Sequence, residues 1–586
     1  MSTRIEGALS VMRRGLRETP ELKRGVRNSV VLAFASAIGM LLVPVLIQQI
    51  LDRGFAGGFH PKLVYGACSI AAVVTIAVYL SSRIAQKRMV RAAESAIKTL
   101  RIKTFRHIHR LSIAVQSKER RGTLVARVTA DIDTLTQFMD WGAVAWITGT
   151  TLMIGTFIVM LVYSWQLALI VVFVASPILL VLRRLQAGLL EAYELIRARV
   201  SDTLSEFAES IMGAEVVRSY GMLDRTDRRI KRAIDLQYRA QMRSARYWSI
   251  LFPLGDVFGA VAMVAVIWAG ITFGPDWGLT PGRLVAFLFL ISLFLQPVGE
   301  LTETFDQTQT AIAGWRKVLD VLDTPVELVE PEPGIDLPSG ALSVVTEGVR
   351  FDYGAGPVLK GIDVELEPGS HVAIVGQTGC GKTTFAKLLC RLADPTEGRI
   401  VVGGLDLRDV SPATRRRAIR MVPQDGFLFD KTIKANVLDG RPDATDAEIE
   451  AAFERLGLSW WVDLLPHGLD THAGQRGERL SAGERQFVAL VRSEIAQPGL
   501  LILDEATSSV DPETEASLAA ALTKVSEGRT TITIAHRMST AERADQVFVF
   551  DAGEVVERGR HDELVAAGGV YARLYASWLG NTRAVA

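Results

Sequence analysis

The sequence predicts a membrane α-helical bundle, six transmembrane helices with long cytoplasmic extensions, followed by an α/β domain of the P-loop nucleotide-binding kind. Three observations carry that reading. Six apolar segments fall between residues 28 and 299. Beyond residue 340 strand-like and helix-like stretches alternate, as in a soluble α/β domain. Within that second part stands Gly376-Gln-Thr-Gly-Cys-Gly-Lys-Thr383, which matches the phosphate-binding pattern G-x-x-x-x-G-K-[ST]. A chain of 586 residues is too long for one domain. The expected division is a cytoplasmic N-terminal segment (1–27), a six-helix membrane domain (28–320), a linker (321–340) and a nucleotide-binding domain (341–586).

The apolar segments are 28–51, 63–82, 143–164, 167–182, 248–273 and 284–299. Crossing the ~30 Å hydrocarbon layer takes ~20 helical residues. Four segments reach that length; the fourth and sixth fall short, and their helices are expected to run on past Leu182 and Pro297. Mean hydropathy is positive, +0.24, which argues against a merely large buried core. The stretches 83–137 and 183–246 are rich in Lys and Arg (Arg88, Arg101, Lys103, Arg127, Arg184, Arg218 and Arg232 among them), whereas the other connections are short. The positive-inside rule therefore places both basic stretches, and both termini, in the cytoplasm. Leu100, Phe105, Ile108 and Leu111, and again Leu204, Phe207 and Ile211, recur at helical spacing, so these stretches read as helices that extend beyond the membrane and turn back.

Composition narrows the function. Net charge is +1, which gives no reason to invoke nucleic acid. Cys68, Cys380 and Cys390 have neither metal-ligand spacing nor a disulfide framework. The basic N-terminus, with Arg13, Arg14, Lys23, Arg24 and Arg27, lacks the short apolar core and cleavage site of a signal peptide and reads as a retained cytoplasmic segment.

The P-loop sits where such a loop must. The apolar strand His371-Val-Ala-Ile-Val375 precedes it and the helical stretch Thr384-Phe-Ala-Lys-Leu-Leu389 follows. Glycines let backbone N–H groups converge on phosphates at a helix N-terminus. Lys382 is placed to reach the β- and γ-phosphates and the Thr383 hydroxyl to ligate Mg²⁺. Some 120 residues on, Leu500-Leu-Ile-Leu503 reads as a buried parallel strand ending in Asp504 and Glu505. Asp504 then belongs to the Mg²⁺ shell, and Glu505 is the candidate base that activates the attacking water. Cys380, beside Lys382 and the helix N-terminus, is a candidate reactive thiol where reagents can reach it.

Between these motifs lies Leu480-Ser-Ala-Gly-Glu-Arg-Gln486, and here the chain resembles the ATP-binding cassette (ABC) family, whose signature is usually Leu-Ser-Gly-Gly-Gln; Ala482 and Glu484 depart from it. The resemblance implies further roles. Tyr353 is similar to the aromatic residue that stacks on adenine, Gln424 to the Q-loop glutamine that senses metal and γ-phosphate, Ser508-Ser-Val-Asp511 to the D-loop, and His536 to the switch histidine. It assigns ATP to the loop residues Gly376, Gln377, Thr378, Gly379, Cys380, Gly381, Lys382, Thr383 and Thr384, with Ser481, Gly483, Glu484 and Asp511 as contacts in the signature and D-loop. Mg²⁺ goes to Thr383, Gln424 and Asp504, and catalysis to Glu505, His536 and Gln424.

The membrane half resembles the exporter-type (type IV) ABC domain, with coupling helices expected in Gly122 to Asp131 and Glu206 to Tyr220. The whole is similar to a half-transporter: an ATP hydrolase coupled to movement of a hydrophobic or amphipathic small molecule, lipid or peptide, in an inner membrane of bacterial type. In that family ATP is sandwiched between the P-loop of one chain and the signature of another, so a second half-transporter is implied. Whether it is an identical chain stays open; Ala482, Glu484 and Gln475, which stands where exporters often have Glu, lean towards a heterodimer. An importer of this architecture and a non-transporting regulatory ATPase are the alternatives. Asp256, Glu300 and Glu303 fall near the inner ends of their segments, where they either line a cavity that favours cationic amphiphiles or serve the bundle itself.

Overall fold

The computed structural model describes residues 7–585 apart from 56–57, 114, 116–120, 355, 505–511 and 536–537. Two compact units result: Met1–His107 with Gly122–Asp323, and Ile108–Arg121 with Thr324–Ala586.

The first unit is helical. Its elements are α1 (Ala8–Glu18), α2 (Pro20–Gln49), α3 (Pro61–Arg110), α4 (Arg121–Val128), α5 (Ala130–Gln137), α6 (Ala143–Tyr163), α7 (Trp165–Met212), α8 (Ala214–Ser219), α9 (Leu223–Phe273) and α10 (Pro281–Asp323). The six apolar segments lie on α2, α3, α6, α7, α9 and α10. Among the described residues five helices carry an apolar stretch long enough to cross a membrane, and α7 contributes the shorter Trp165–Pro177. The helices outrun these stretches. At 1.5 Å per residue the 50 residues of α3 extend about 75 Å, more than twice the hydrocarbon thickness. Hydropathy marks the part of a helix inside lipid, not its ends, which explains why α2 begins at Pro20 and α10 continues to Asp323.

Two apolar clusters hold the bundle. One joins Leu167 and Val171 of α7, Val266 of α9 and Phe287, Leu290 and Ile291 of α10. The other joins Met89, Ala93 and Ile97 of α3 to Ile132 and Leu135 of α5 and Ile312 and Trp315 of α10. The N-terminal segment is part of this second cluster rather than a tail: Val11 is buried in it and Arg14 pairs with Asp323. At the opposite end of α10, Asp52 caps the helix. Its carboxylate accepts from the Thr280 hydroxyl at 2.5 Å and the Gly282 N–H at 2.9 Å, and Gln48 donates to it at 3.0 Å.

In the second unit, strands β1 (Val344–Asp352), β2 (Pro357–Leu366), β3 (His371–Gly376), β4 (Glu397–Val402), β5 (Leu405–Asp406), β6 (Ile419–Val422), β7 (Leu500–Asp504), β8 (Thr530–Ile534), β9 (Gln546–Asp551) and β10 (Glu554–Gly559) build two sheets. The small antiparallel sheet runs β2-β1-β4-β5 and the larger β10-β9-β3-β8-β7-β6. In the larger sheet β3, β6, β7, β8 and β9 are parallel, so their carboxyl ends share one edge. All residues of β7 and β8 are buried, as expected of central parallel strands covered on both faces.

Residues 324–340 pack on the second unit: Ile335 bridges to Val410, and Glu330 takes two bonds from Arg415, at 2.9 and 2.7 Å, and one from Arg391 at 3.5 Å. Arg391 is buried and holds a left-handed backbone, φ 50°, while it also donates to the Val329 carbonyl at 2.9 Å.

Candidate active site

Ligands of parallel α/β sheets bind at the carboxyl ends of the strands, and the P-loop leaves β3 there. Gly376, at φ 153°, leaves no room for a side chain: a Cβ would lie 2.2 Å from the Phe550 carbonyl oxygen. Gly381, at φ 105°, caps helix α11 (Lys382–Leu389) against Leu359, which turns the first helical N–H groups towards the loop. Lys382 is buried, and its ammonium donates to the carbonyls of Gly376 at 2.7 Å and Gln377 at 2.9 Å. The only positive side chain in the loop is thereby held at its centre, where anionic oxygens can replace those carbonyls. Cys380 is also buried, its sulfur 3.7 Å from the Lys382 ammonium. The exposure that a reactive thiol requires is missing, because the sulfur packs under Gly376 rather than facing outward.

Across the sheet, β8 separates β3 from β7, and Asp504 ends β7. The Thr383 hydroxyl lies 3.4 Å from Asp504 Oδ2. A hydroxyl and a carboxylate are hard oxygen donors, the type Mg²⁺ prefers, so this pair fits the metal. Tyr353 follows β1, its ring edge-on to Phe351 at 4.8 Å and its hydroxyl 3.4 Å from Thr384 Oγ1. Glu505, Asp511 with the rest of the D-loop, and His536 lie outside the described residues; the strands that lead to them end at Asp504 and Ile534.

The signature opens a second helix, which follows α12 (Asp446–Leu456) and α13 (Ser459–Leu464) in the chain: α14 (Ala482–Ala496), with Ser481 at its N-cap. Ser481 is exposed and Gly483 buried. Glu484 closes a capping box with Ser481: the Ser481 N–H donates to Glu484 Oε2 at 2.7 Å and the Glu484 N–H to Ser481 Oγ at 3.2 Å. Gln424 is exposed, and its backbone carbonyl accepts from Gln486 of α14 at 3.1 Å. Arg492, one face further along α14, donates to the Phe427 carbonyl at 3.2 Å and the Asn436 carbonyl at 2.9 Å. Burial lowers the Arg492 pKa from the ordinary arginine range; Asp439 opposes this and Arg420 adds to it. The signature helix therefore grips the segment that carries Gln424. Sequence motifs gave Gln486 and Arg492 no role, since their partners lie 62 and 65 residues away.

In the membrane unit Asp256 and Glu300 are exposed, and Gln296 donates to Glu300 at 3.2 Å. A Cβ added at Gly259 of α9 would lie 3.3 Å from Leu295 of α10. The Glu303 side chain is outside those described.

Comparison with known proteins follows the same division. Residues 26–298 match the ABC transporter transmembrane region and residues 359–508 the ABC transporter model. The chain is 35% identical over 515 residues, 86% of it and 81% of the relative, to a fatty acid ABC transporter ATP-binding/permease protein of Mycobacterium bovis. It is 32% identical over 492 residues to an ATP-dependent lipid A-core flippase of Desulfotalea psychrophila, covering 83% of this chain and 85% of that one. A bacterial Atm1-family ABC exporter with ATP bound superposes with a TM-score of 0.77 at 27% identity, over 95% of this chain and 98% of the other.

Proposed function

The chain belongs to the ABC transporter family, as a membrane region fused to an ATPase region, and from that premise we propose that it pairs with a second half-transporter to export lipid-like amphiphiles. ATP-driven transport by a multi-pass protein of the bacterial inner membrane is its activity, and its ATPase region binds ATP. The observation that carries the ATP-driven part of the reading is the convergence of the P-loop, Lys382 and the Thr383–Asp504 pair at one sheet edge, in a polypeptide that also carries apolar helices long enough to cross a membrane.

In this reading the α11 N-terminus and Lys382 hold the ATP phosphates, and Tyr353 lies under the adenine. Mg²⁺, held by Thr383 and Asp504 with Gln424 nearby, would offset charge on the phosphate oxygens. Glu505 takes the proton of the attacking water, and His536 and Asp511 complete the site with Ser481 from the partner chain. The apolar stretch of α3 is almost wholly exposed in the single chain, which leaves room there for lipid or a second subunit. The amphiphile is supported by relatives named for a fatty acid and for lipid A-core. ATP binding would draw the two ATPase regions together and bias the membrane helices between inward and outward openings.

Purification from native membranes tests this. Two half-transporter polypeptides per particle and a co-purifying lipid support the reading; an active single chain per particle would overturn it.

A further inference from the structure

Glu484 is engaged twice within its own chain. Besides the Ser481 N–H at Oε2, its Oε1 accepts from the indole N–H of Trp461 at 2.9 Å. Trp461, on α13, is buried between Phe453 and Phe487, with ring centroids 6.2 and 5.6 Å away. Its indole is fixed by packing, and a buried indole N–H needs an acceptor. Two donors thus converge on one side chain and each takes a different oxygen of it, an arrangement that a carboxylate satisfies. Glutamine, the usual residue at this point of the signature, has a single acceptor oxygen. Its amide NH₂ would face either the indole N–H or the Ser481 N–H, donor against donor.

The same box sets the state of the Ser481 hydroxyl. Its oxygen accepts from the Glu484 N–H at 3.2 Å, which leaves the hydroxyl hydrogen for an acceptor outside the helix. Ser481 is exposed at the N-terminus of the fifteen-residue α14, where a phosphate oxygen is a favourable acceptor.

We propose that Glu484 is a positioning residue matched to Trp461: the indole anchors the carboxylate, and the carboxylate fixes Ser481 so that its hydroxyl meets the nucleotide of the partner chain. The proposal rests on the reading that Ser481 contacts that nucleotide. Glu484 itself points inward, to Trp461 and to the cap.

The test is a mutant cycle on the full-length protein in lipid nanodiscs, with ATPase rate measured against ATP concentration and the thermal midpoint recorded for each variant. E484Q should raise the KM for ATP roughly tenfold, the worth of one lost hydrogen bond to a charged group. W461F removes the competing indole donor while keeping a ring in the core. In the W461F background E484Q should cost no more than about twofold, because the two residues interact and their effects do not add. S481A should raise KM at least as far as E484Q. Equal losses from E484Q in both backgrounds, with S481A impaired, would overturn the proposal and leave the nucleotide reading standing. An unchanged KM in S481A would remove that reading and the proposal with it. Should W461F fail to fold, E484Q decides alone: a lowered thermal midpoint and kcat at unchanged KM would mean a purely structural role.

Discussion

The Thr383 hydroxyl lies 3.4 Å from Asp504 Oδ2, although 121 residues separate the two. One is the last residue of the P-loop, in the first turn of α11, and the other ends β7, with β8 between β7 and the strand β3 that leads into the loop. If this pair holds Mg²⁺, Asp504→Asn and Thr383→Ala should each lower ATP hydrolysis, the former by about a hundredfold or more, in line with loss of a charge-stabilising group. Chelation of divalent ions should stop turnover in the unmodified protein. Hydrolysis that persists after chelation, measured as phosphate release, would remove the metal from this site.

Burial of Cys380 reverses the expectation drawn from its neighbours. The sulfur packs beneath Gly376, where it is shielded from reagents. Maleimide should therefore leave ATPase activity largely intact over minutes, and Cys380→Ser should stay active. Rapid inactivation that ATP prevents and Cys380→Ser escapes would show the loop to be open to solvent.

Glu330 gives the stretch 324–340 a pH-dependent hold on its unit. Hydrogen bonding from Arg415, opposed by partial burial and aided by the charges of Arg415, Arg391 and Arg416, keeps its carboxyl below the usual glutamate range. A depressed folded value means that the stabilisation is present above the unfolded pKa and is lost as pH falls through the folded one. Glu330→Gln should cost about 1 kcal/mol near neutrality, since the carboxylate is partly exposed and screened. The difference from the parent should vanish in acid. Thermal unfolding of both proteins between pH 7 and about pH 3 would measure it; a difference that grows on acidification would contradict the assignment.

At the other end of the chain's long helices, Gly282 fits under Asp52 because it has no side chain. An added Cβ would lie 2.5 Å from Asp52 Oδ1 and 2.8 Å from the Gln48 carbonyl. Gly282→Ala should therefore break the cap of α10 and lower stability by about 1–2 kcal/mol, the worth of an N-cap in a protein. An unchanged or raised thermal midpoint would show that Asp52 does not hold this helix.

Much of this was legible in the sequence, for physical reasons. A P-loop is local: eight residues between a strand and a helix carry their own geometry, and the strand β3 and the helix α11 flank it as the sequence predicts. Apolar length is equally local, so the six segments on α2, α3, α6, α7, α9 and α10 could be read directly. Partners distant in sequence could not. No spacing rule connects Trp461 to Glu484, Glu330 to Arg391 and Arg415, or Asp52 to Gly282, because each pair meets only after whole elements have packed. Helix ends were hidden for a different reason: hydropathy falls where lipid ends, while α3 and α10 continue into water as helices.

The coupling of hydrolysis to movement is tested most directly in sealed proteoliposomes that contain a fluorescent lipid amphiphile. With ATP on the side of the ATPase region, the unmodified protein should move the lipid between leaflets, and Glu505→Gln should bind ATP but lose ~10²–10⁴-fold of its hydrolysis and with it the movement. Vigorous ATPase turnover without lipid movement, or movement undiminished in Glu505→Gln, would contradict the account.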